Sequence, residues 1–130
     1  MESANRHPRV LVVEDNAVTR KLVQDTLELE GYEVVCAEEG GAALKEIGAT
    51  RPDVIVLDAM MPGIDGFTVL SKLRNDPATA DLPVLMLTAL DDTDSTWKGW
   101  AGGCHYYMTK PFEIEDLLSA VGRLASGVLA

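Results

Sequence analysis

At 130 residues, 47% hydrophobic and 25% charged, the chain suits one domain with a core of its own. Its formal net charge of −10 argues against a nucleic-acid-binding domain, since phosphate backbones are held by Lys and Arg. No apolar run approaches the roughly 18 residues of a membrane span, and MESANRHPRV lacks the apolar stretch of a signal peptide, so a cytoplasmic protein is the default expectation.

The first apolar run, Val10-Leu11-Val12-Val13, ends in Glu14-Asp15. An unbroken run of this kind reads as a strand buried on both faces. Asn16 is a good N-cap for a helix in which Val18, Leu22 and Leu29 fall along one line, with Val23 and Leu27 beside it. Gly31 is a natural stop. Tyr32 to Ala37 forms a short second strand. A weaker helix follows over Glu39 to Gly48, with Leu44 and Ile47 on one side and Gly40-Gly41 weakening its start.

Pro52-Asp53 punctuates the chain before Val54-Ile55-Val56-Leu57, which runs straight into Asp58 and a loop rich in Pro and Gly. Phe67, Leu70 and Leu73 mark a third helix, ended by Asn75-Asp76-Pro77. Pro83 to Leu87 is a fourth apolar run, closing on Thr88. Asp91 to Ala101 reads as a helix broken by Gly102-Gly103, and Cys104 to Met108 as a fifth strand before Thr109-Lys110-Pro111-Phe112. Ile114, Leu117, Leu118, Val121 and Leu124 give the cleanest amphipathic helix of the chain.

Strand and helix thus alternate five times with short connections. Such a chain builds a parallel sheet with helices on both faces, joined by right-handed crossovers. One domain is expected over residues 8–126, with an N-terminal extension over 1–7 and a tail over 127–130. Cys36 and Cys104 have no metal-binding spacing and read as buried free thiols.

In this topology the carboxyl ends of the strands share one rim, where open α/β folds put their chemistry. That rim collects Glu14, Asp15, Asp58, Thr88 and Lys110 from four strands. Crowded carboxylates repel and resist ionisation; a hard divalent cation such as Mg²⁺, bound by carboxylates and phosphate oxygens, relieves this. Lys110 is a mobile point charge suited to a phosphoryl oxygen, Thr88 offers a hydroxyl, and an aspartate can act as a covalent nucleophile.

With these residues in view, the chain resembles a response-regulator receiver domain, the phosphoacceptor half of two-component signalling. The resemblance rests on VVED at Val12 to Asp15, LDAMMPGIDG at Leu57 to Gly66, LTA at Leu87 to Ala89 and YYMTKPF at Tyr106 to Phe112, and it spans Pro8 to about Ala125. It implies a flavodoxin-like, doubly wound (βα)5 three-layer sandwich with strand order 2-1-3-4-5, which puts Cys36 and Cys104 on opposite edges.

The resemblance also implies roles. Asp58 is the phosphorylated residue; Asp15, Asp58 and the backbone carbonyl of Met60 bind Mg²⁺, for which Mn²⁺ could substitute, and Glu14 belongs to the acidic pocket, often through water. Thr88 is the switch hydroxyl, Tyr107 the aromatic whose rotamer follows it, and Lys110-Pro111 a cis bond. The donor is a histidine kinase or histidine phosphotransfer protein. The output domain or partner is met by the face of the fourth helix, fifth strand and fifth helix, and the chain is a monomer or a phosphorylation-dependent homodimer. Such a domain catalyses only its own phosphorylation and dephosphorylation. Met60 and Leu90 replace the polar side chains that help orient hydrolytic water in related proteins, so slow self-dephosphorylation is expected.

Plainer readings stand beside these. Glu14 could simply stabilise the nearby helix N-terminus. Asp65 reads as a loop acid, Thr109 as structural, His105 as an exposed strand residue, and Asp91, Asp92 and Asp94 as a solvated loop and helix cap. Packing is expected for at least one of Trp97 and Trp100; a partner or dimer surface is the alternative. Rival functions fit less well. A phosphatase of the haloacid dehalogenase type needs an acid at Met60. A flavin or nucleotide binder needs a Gly-rich or hydroxyl-rich loop where EDNAVT stands. A degenerate, phosphate-independent receiver would not need all five rim residues.

Overall fold

The structure, a computed structural model, describes residues 7–127. Apart from His7 and Gly127, the expected extension over 1–7 and tail over 127–130 lie outside the described residues. The elements alternate as β1 (Arg9–Val13), α1 (Ala17–Leu29), β2 (Glu33–Ala37), α2 (Gly40–Thr50), β3 (Val54–Leu57), α3 (Gly66–Arg74), β4 (Val84–Thr88), α4 (Thr93–Ala101), β5 (Tyr106–Thr109) and α5 (Ile114–Ser126). The five strands form one sheet in the order β2-β1-β3-β4-β5, and every pair is parallel. Fold class and strand order agree with the sequence reading.

Side chains alternate across a strand, so each buried strand feeds two cores. Leu11, Val13, Ile55, Leu57, Val84 and Met86 face α2 and α3, meeting Ala43, Ile47, Val69, Leu70 and Leu73. Val10, Val12, Val54, Val56, Leu85 and Leu87 face the other way, meeting Val23 and Leu27 of α1 and Leu117, Ala120, Val121 and Leu124 of α5. β1, β3 and β4 are almost wholly buried, which is why their sequences carry no polar alternation.

The helix starts are chemically specified. Asn16, Asp65 and Asp92 cap α1, α3 and α4, each side chain accepting from the backbone N–H three residues on. The loop acids Asp65 and Asp92 therefore serve the helices behind them. The Ser95 N–H also holds the Asp92 carboxyl below its usual range. Gly31, at φ +94°, follows the end of α1 as expected.

Four expectations are corrected. On α1 the core face is Val23 and Leu27, while Val18, Leu22 and Leu29 are exposed. Trp97 and Trp100 are both exposed, at 69% and 48%; α4 instead buries Gly99, because its approach to β5 leaves no room for a side chain there. His105 is half-buried just before β5, and its Nδ1 accepts from the Val84 N–H at 3.2 Å. Cys104 is buried and precedes β5, whereas Cys36 is only half-buried in β2; both are free thiols.

Candidate functional site

Two neighbouring parallel strand ends deliver the three acidic groups. β1 passes into Glu14 and Asp15, and β3 passes into Asp58. The Asp58 N–H donates to the Val13 carbonyl at 3.0 Å, and the Glu14 N–H donates to the Ala37 carbonyl at 3.0 Å. These bonds extend the ladders one residue past the strands and fix the acids against each other. Carboxylate oxygens of Glu14, Asp15 and Asp58 come within 4.8 Å of one another. Glu14 and Asp58 are buried and Asp15 is exposed, so the cluster opens to solvent on one side.

Lys110 closes the other side. Its Nζ donates to Glu14 Oε1 at 2.7 Å and to Asp58 Oδ2 at 3.1 Å. Burial drives the Glu14 carboxyl upward from its usual pKa, against the bonds from Lys110 and the Asn16 N–H, and the nearby Asp58 charge pushes the same way. Burial works to lower the Lys110 ammonium, but Glu14 and Asp58 together outweigh it and hold its pKa above the ordinary value. The two upward shifts have different origins, and the 2.7 Å contact is a charge-assisted bond. The Met60 N–H donates to Asp58 Oδ1 at 3.0 Å, so both Asp58 oxygens are oriented.

Thr88 ends β4, fully buried, and its carbonyl accepts from the Lys110 N–H at 2.9 Å. Its Oγ1 accepts from the Leu90 N–H at 3.3 Å, while the Tyr107 hydroxyl donates to the Leu90 carbonyl at 2.7 Å. The two residues expected to switch together thus meet at one peptide segment. The Lys110-Pro111 bond is cis. All five rim residues lie at the carboxyl ends of β1, β3, β4 and β5. An all-oxygen donor set of three carboxylates suits a hard cation such as Mg²⁺.

Three features were not anticipated from the sequence. Leu90 contributes through its backbone, which no side-chain pattern reveals. Gly99 matters because a Cβ there would lie 2.5 Å from Tyr107 Cδ2; a glycine inside a helix was its available signal. Arg20, half-buried on α1, donates to the Glu14 and Asp15 carbonyls, and nothing in the spacing of TRKLV marked it.

Residues 10–122 match the family described as the response regulator receiver domain. The chain belongs to that family. The receiver domain is 43% identical over 117 residues to the DNA-binding dual master transcriptional regulator RpaA of Synechocystis, covering 90% of this chain and 48% of that protein. It is 41% identical over 116 residues to the response regulator PleD of Caulobacter vibrioides, covering 89% of this chain and 26% of the relative. The chain spans about half or less of the length of these curated relatives.

Solved structures match along nearly their whole length. A putative response regulator from Chloroflexus aurantiacus is 35% identical with a TM-score of 0.89, covering 93% of this chain and 99% of its own. The chemotaxis protein CheY4 of Vibrio cholerae is 34% identical with a TM-score of 0.85, covering 92% and 99%. Among the described residues, no helix is long and apolar enough to cross a membrane.

Proposed function

We propose that Asp58 is the phosphoacceptor of this receiver domain and that residues 8–126 form the working unit. The observation that carries the reading is the Lys110 ammonium held against both Glu14 and Asp58, in a cluster that Asp15 completes. Lys110 is a half-buried cation on a flexible stem shared between two acids, so its donors can pass to a more highly charged oxyanion.

An Asp58 carboxylate oxygen attacks the phosphorus of a phosphohistidine on a histidine kinase or phosphotransfer protein. The O–P bond forms as the P–N bond breaks, and the imidazole nitrogen leaves with the electron pair and takes up a proton. Lys110 moves its donors from Glu14 to the phosphoryl oxygens, and the Met60 N–H continues to orient the attacking carboxylate. Asp15, Asp58 and the Met60 carbonyl would hold Mg²⁺, or Mn²⁺ in its place, with Glu14 in the pocket through water. Bound there, the cation neutralises charge on the phosphoryl group. The domain acts as an enzyme only on itself, in its own phosphorylation and the hydrolysis that reverses it.

The phosphoryl group adds about −1.5 to −2 charge and three acceptor oxygens. Thr88 Oγ1 then turns to donate to it and releases the Leu90 N–H. The Leu90 segment moves, and with it the hydrogen-bond partner of Tyr107. A population shift in the α4-β5-α5 face follows, read by an output domain or partner, or by a second copy of the chain.

The test is intact mass after incubation with acetyl phosphate and Mg²⁺. The wild-type chain should gain one phosphoryl group, Asp58→Asn none, and chelation of the metal should suppress the gain. Equal gain by Asp58→Asn refutes the assignment.

A further inference from the structure

The β1–α1 turn carries both Glu14 and Asp15, yet β1 ends at Val13, so the Glu14 and Asp15 carbonyls lie beyond the strand. On α1, Arg20 shares the inward face with Val23 and Leu27, at spacings i, i+3 and i+7. Its side chain is 19% exposed. Arg20 Nη1 donates to the Glu14 carbonyl at 2.9 Å and to the Asp15 carbonyl at 3.4 Å. The Arg20 backbone N–H donates to the Asn16 carbonyl at 2.9 Å, seating the residue in the first turn of the helix. Nη2 lies 3.8 Å from Glu38 Oε2 in the β2–α2 connection, but Glu38 is 75% exposed and such a pair contributes little.

We propose that Arg20 is a positioning residue: its guanidinium clamps the two successive carbonyls of the acidic turn and thereby holds the Glu14 and Asp15 carboxylates where they can share a divalent cation with Asp58. The inference rests on the phosphoacceptor reading of the rim. Its chemistry is specific. The Nη1 hydrogen bonds go to the backbone oxygens of Glu14 and Asp15 and not to their carboxylates, so the clamp leaves the metal-binding oxygens available. One end of the turn is then fixed by the Glu14 N–H on Ala37, and its carbonyls by Arg20.

Two physical effects make opposite predictions, which makes the inference sharp. As a charge, an Arg beside a cation site repels the metal, so removing it should tighten binding. As a clamp, it pre-orders the ligands, and loss of a group that orients ligands typically weakens metal binding about 10- to 100-fold. Lys separates the two, since it keeps the charge but offers a shorter reach and no planar fork.

The experiment is a titration of the metal-free chain with Mn²⁺ alone, following free Mn²⁺ by electron paramagnetic resonance. It is run on wild type, Arg20→Met and Arg20→Lys, with urea midpoints on the same samples. The clamp predicts that both variants bind about tenfold or more weakly, while phosphorylation by acetyl phosphate recovers towards the wild-type rate at saturating Mg²⁺. Binding by Arg20→Met as tight as wild type, or tighter, overturns it, as does an Arg20→Lys affinity within about twofold of wild type. If Arg20→Met does not fold, the Lys variant decides. A wild-type chain that binds no Mn²⁺ refutes the metal site and the clamp together; a wild type that binds, with variants that bind equally well, refutes the clamp alone.

Discussion

Asp58 is held by the Met60 backbone N–H, and the side chains of Met60 and of Leu90, two residues after Thr88, offer no acid–base help. Met60 donates its N–H to Asp58 while its side chain stands 55% exposed. Leu90 engages both Thr88 and Tyr107 through its peptide groups and turns an apolar side chain to the core. Neither side chain can hydrogen-bond an attacking water. We therefore expect slow loss of the phosphoryl group. Met60→Asn with Leu90→Glu should speed it roughly tenfold, the worth of about one hydrogen bond made in the transition state. The check is the decay of the phosphorylated species by intact mass after the donor is removed; an unchanged half-life contradicts the idea. The rim residues were legible because each follows an apolar run, and an acid or lysine in that position has few structural uses. Their pairing was less legible. That Lys110 bonds Glu14 as well as Asp58 depends on how far β1 and β5 carry their ends, a length no local pattern encodes.

At the scale of elements, α4 shows how packing overrides side-chain character. Two tryptophans on TDSTWKGWA look like core anchors, yet the helix approaches β5 through Gly99 and turns both outward. Close approach is possible only where a Cβ is missing, and the Tyr107 ring fills that space. Gly99→Ala would add helix propensity worth about 0.5–1 kcal/mol, but overpacking typically costs about 1–3 kcal/mol. We expect a net loss of stability in urea, or relief of the clash by rotation of Tyr107 away from the Leu90 carbonyl. Urea midpoints and the aromatic NMR signals of Tyr107 distinguish the two. A more stable variant with Tyr107 unmoved contradicts this account of the α4–β5 contact. α1 gives the converse lesson. Both of its faces carry apolar residues, so periodicity found a stripe but could not tell Val18, Leu22 and Leu29 from the Val23 and Leu27 that the sheet covers. On α5, with acids and polar residues opposite the stripe, the same reasoning located Leu117, Val121 and Leu124 correctly.

Across the whole molecule, strand order was read through the family resemblance, while the parallel sheet itself followed from five βα units. Its consequence is that acids far apart in the chain meet at one rim, and in a protein of net charge −10 that rim is a standing source of repulsion. Mg²⁺ should therefore stabilise the fold. A ligand that binds only the native state contributes about 2.7 kcal/mol at 100 times its dissociation constant. Urea midpoints with and without Mg²⁺ should differ accordingly in wild type, and by much less in Asp15→Asn. An equal gain in both would point to a metal effect elsewhere.

The central claim is that chemistry at Asp58 is carried through the Thr88–Leu90–Tyr107 bonds to the α4-β5-α5 face. The most direct measurement is a heteronuclear NMR comparison with and without beryllofluoride, a phosphoryl mimic, in the presence of Mg²⁺. The account predicts shifts at Asp58, Met60, Lys110, Thr88 and Leu90 together with Tyr107 and residues of α4, all absent in Asp58→Asn. Shifts confined to the rim, with Leu90, Tyr107 and α4 unmoved, would contradict it.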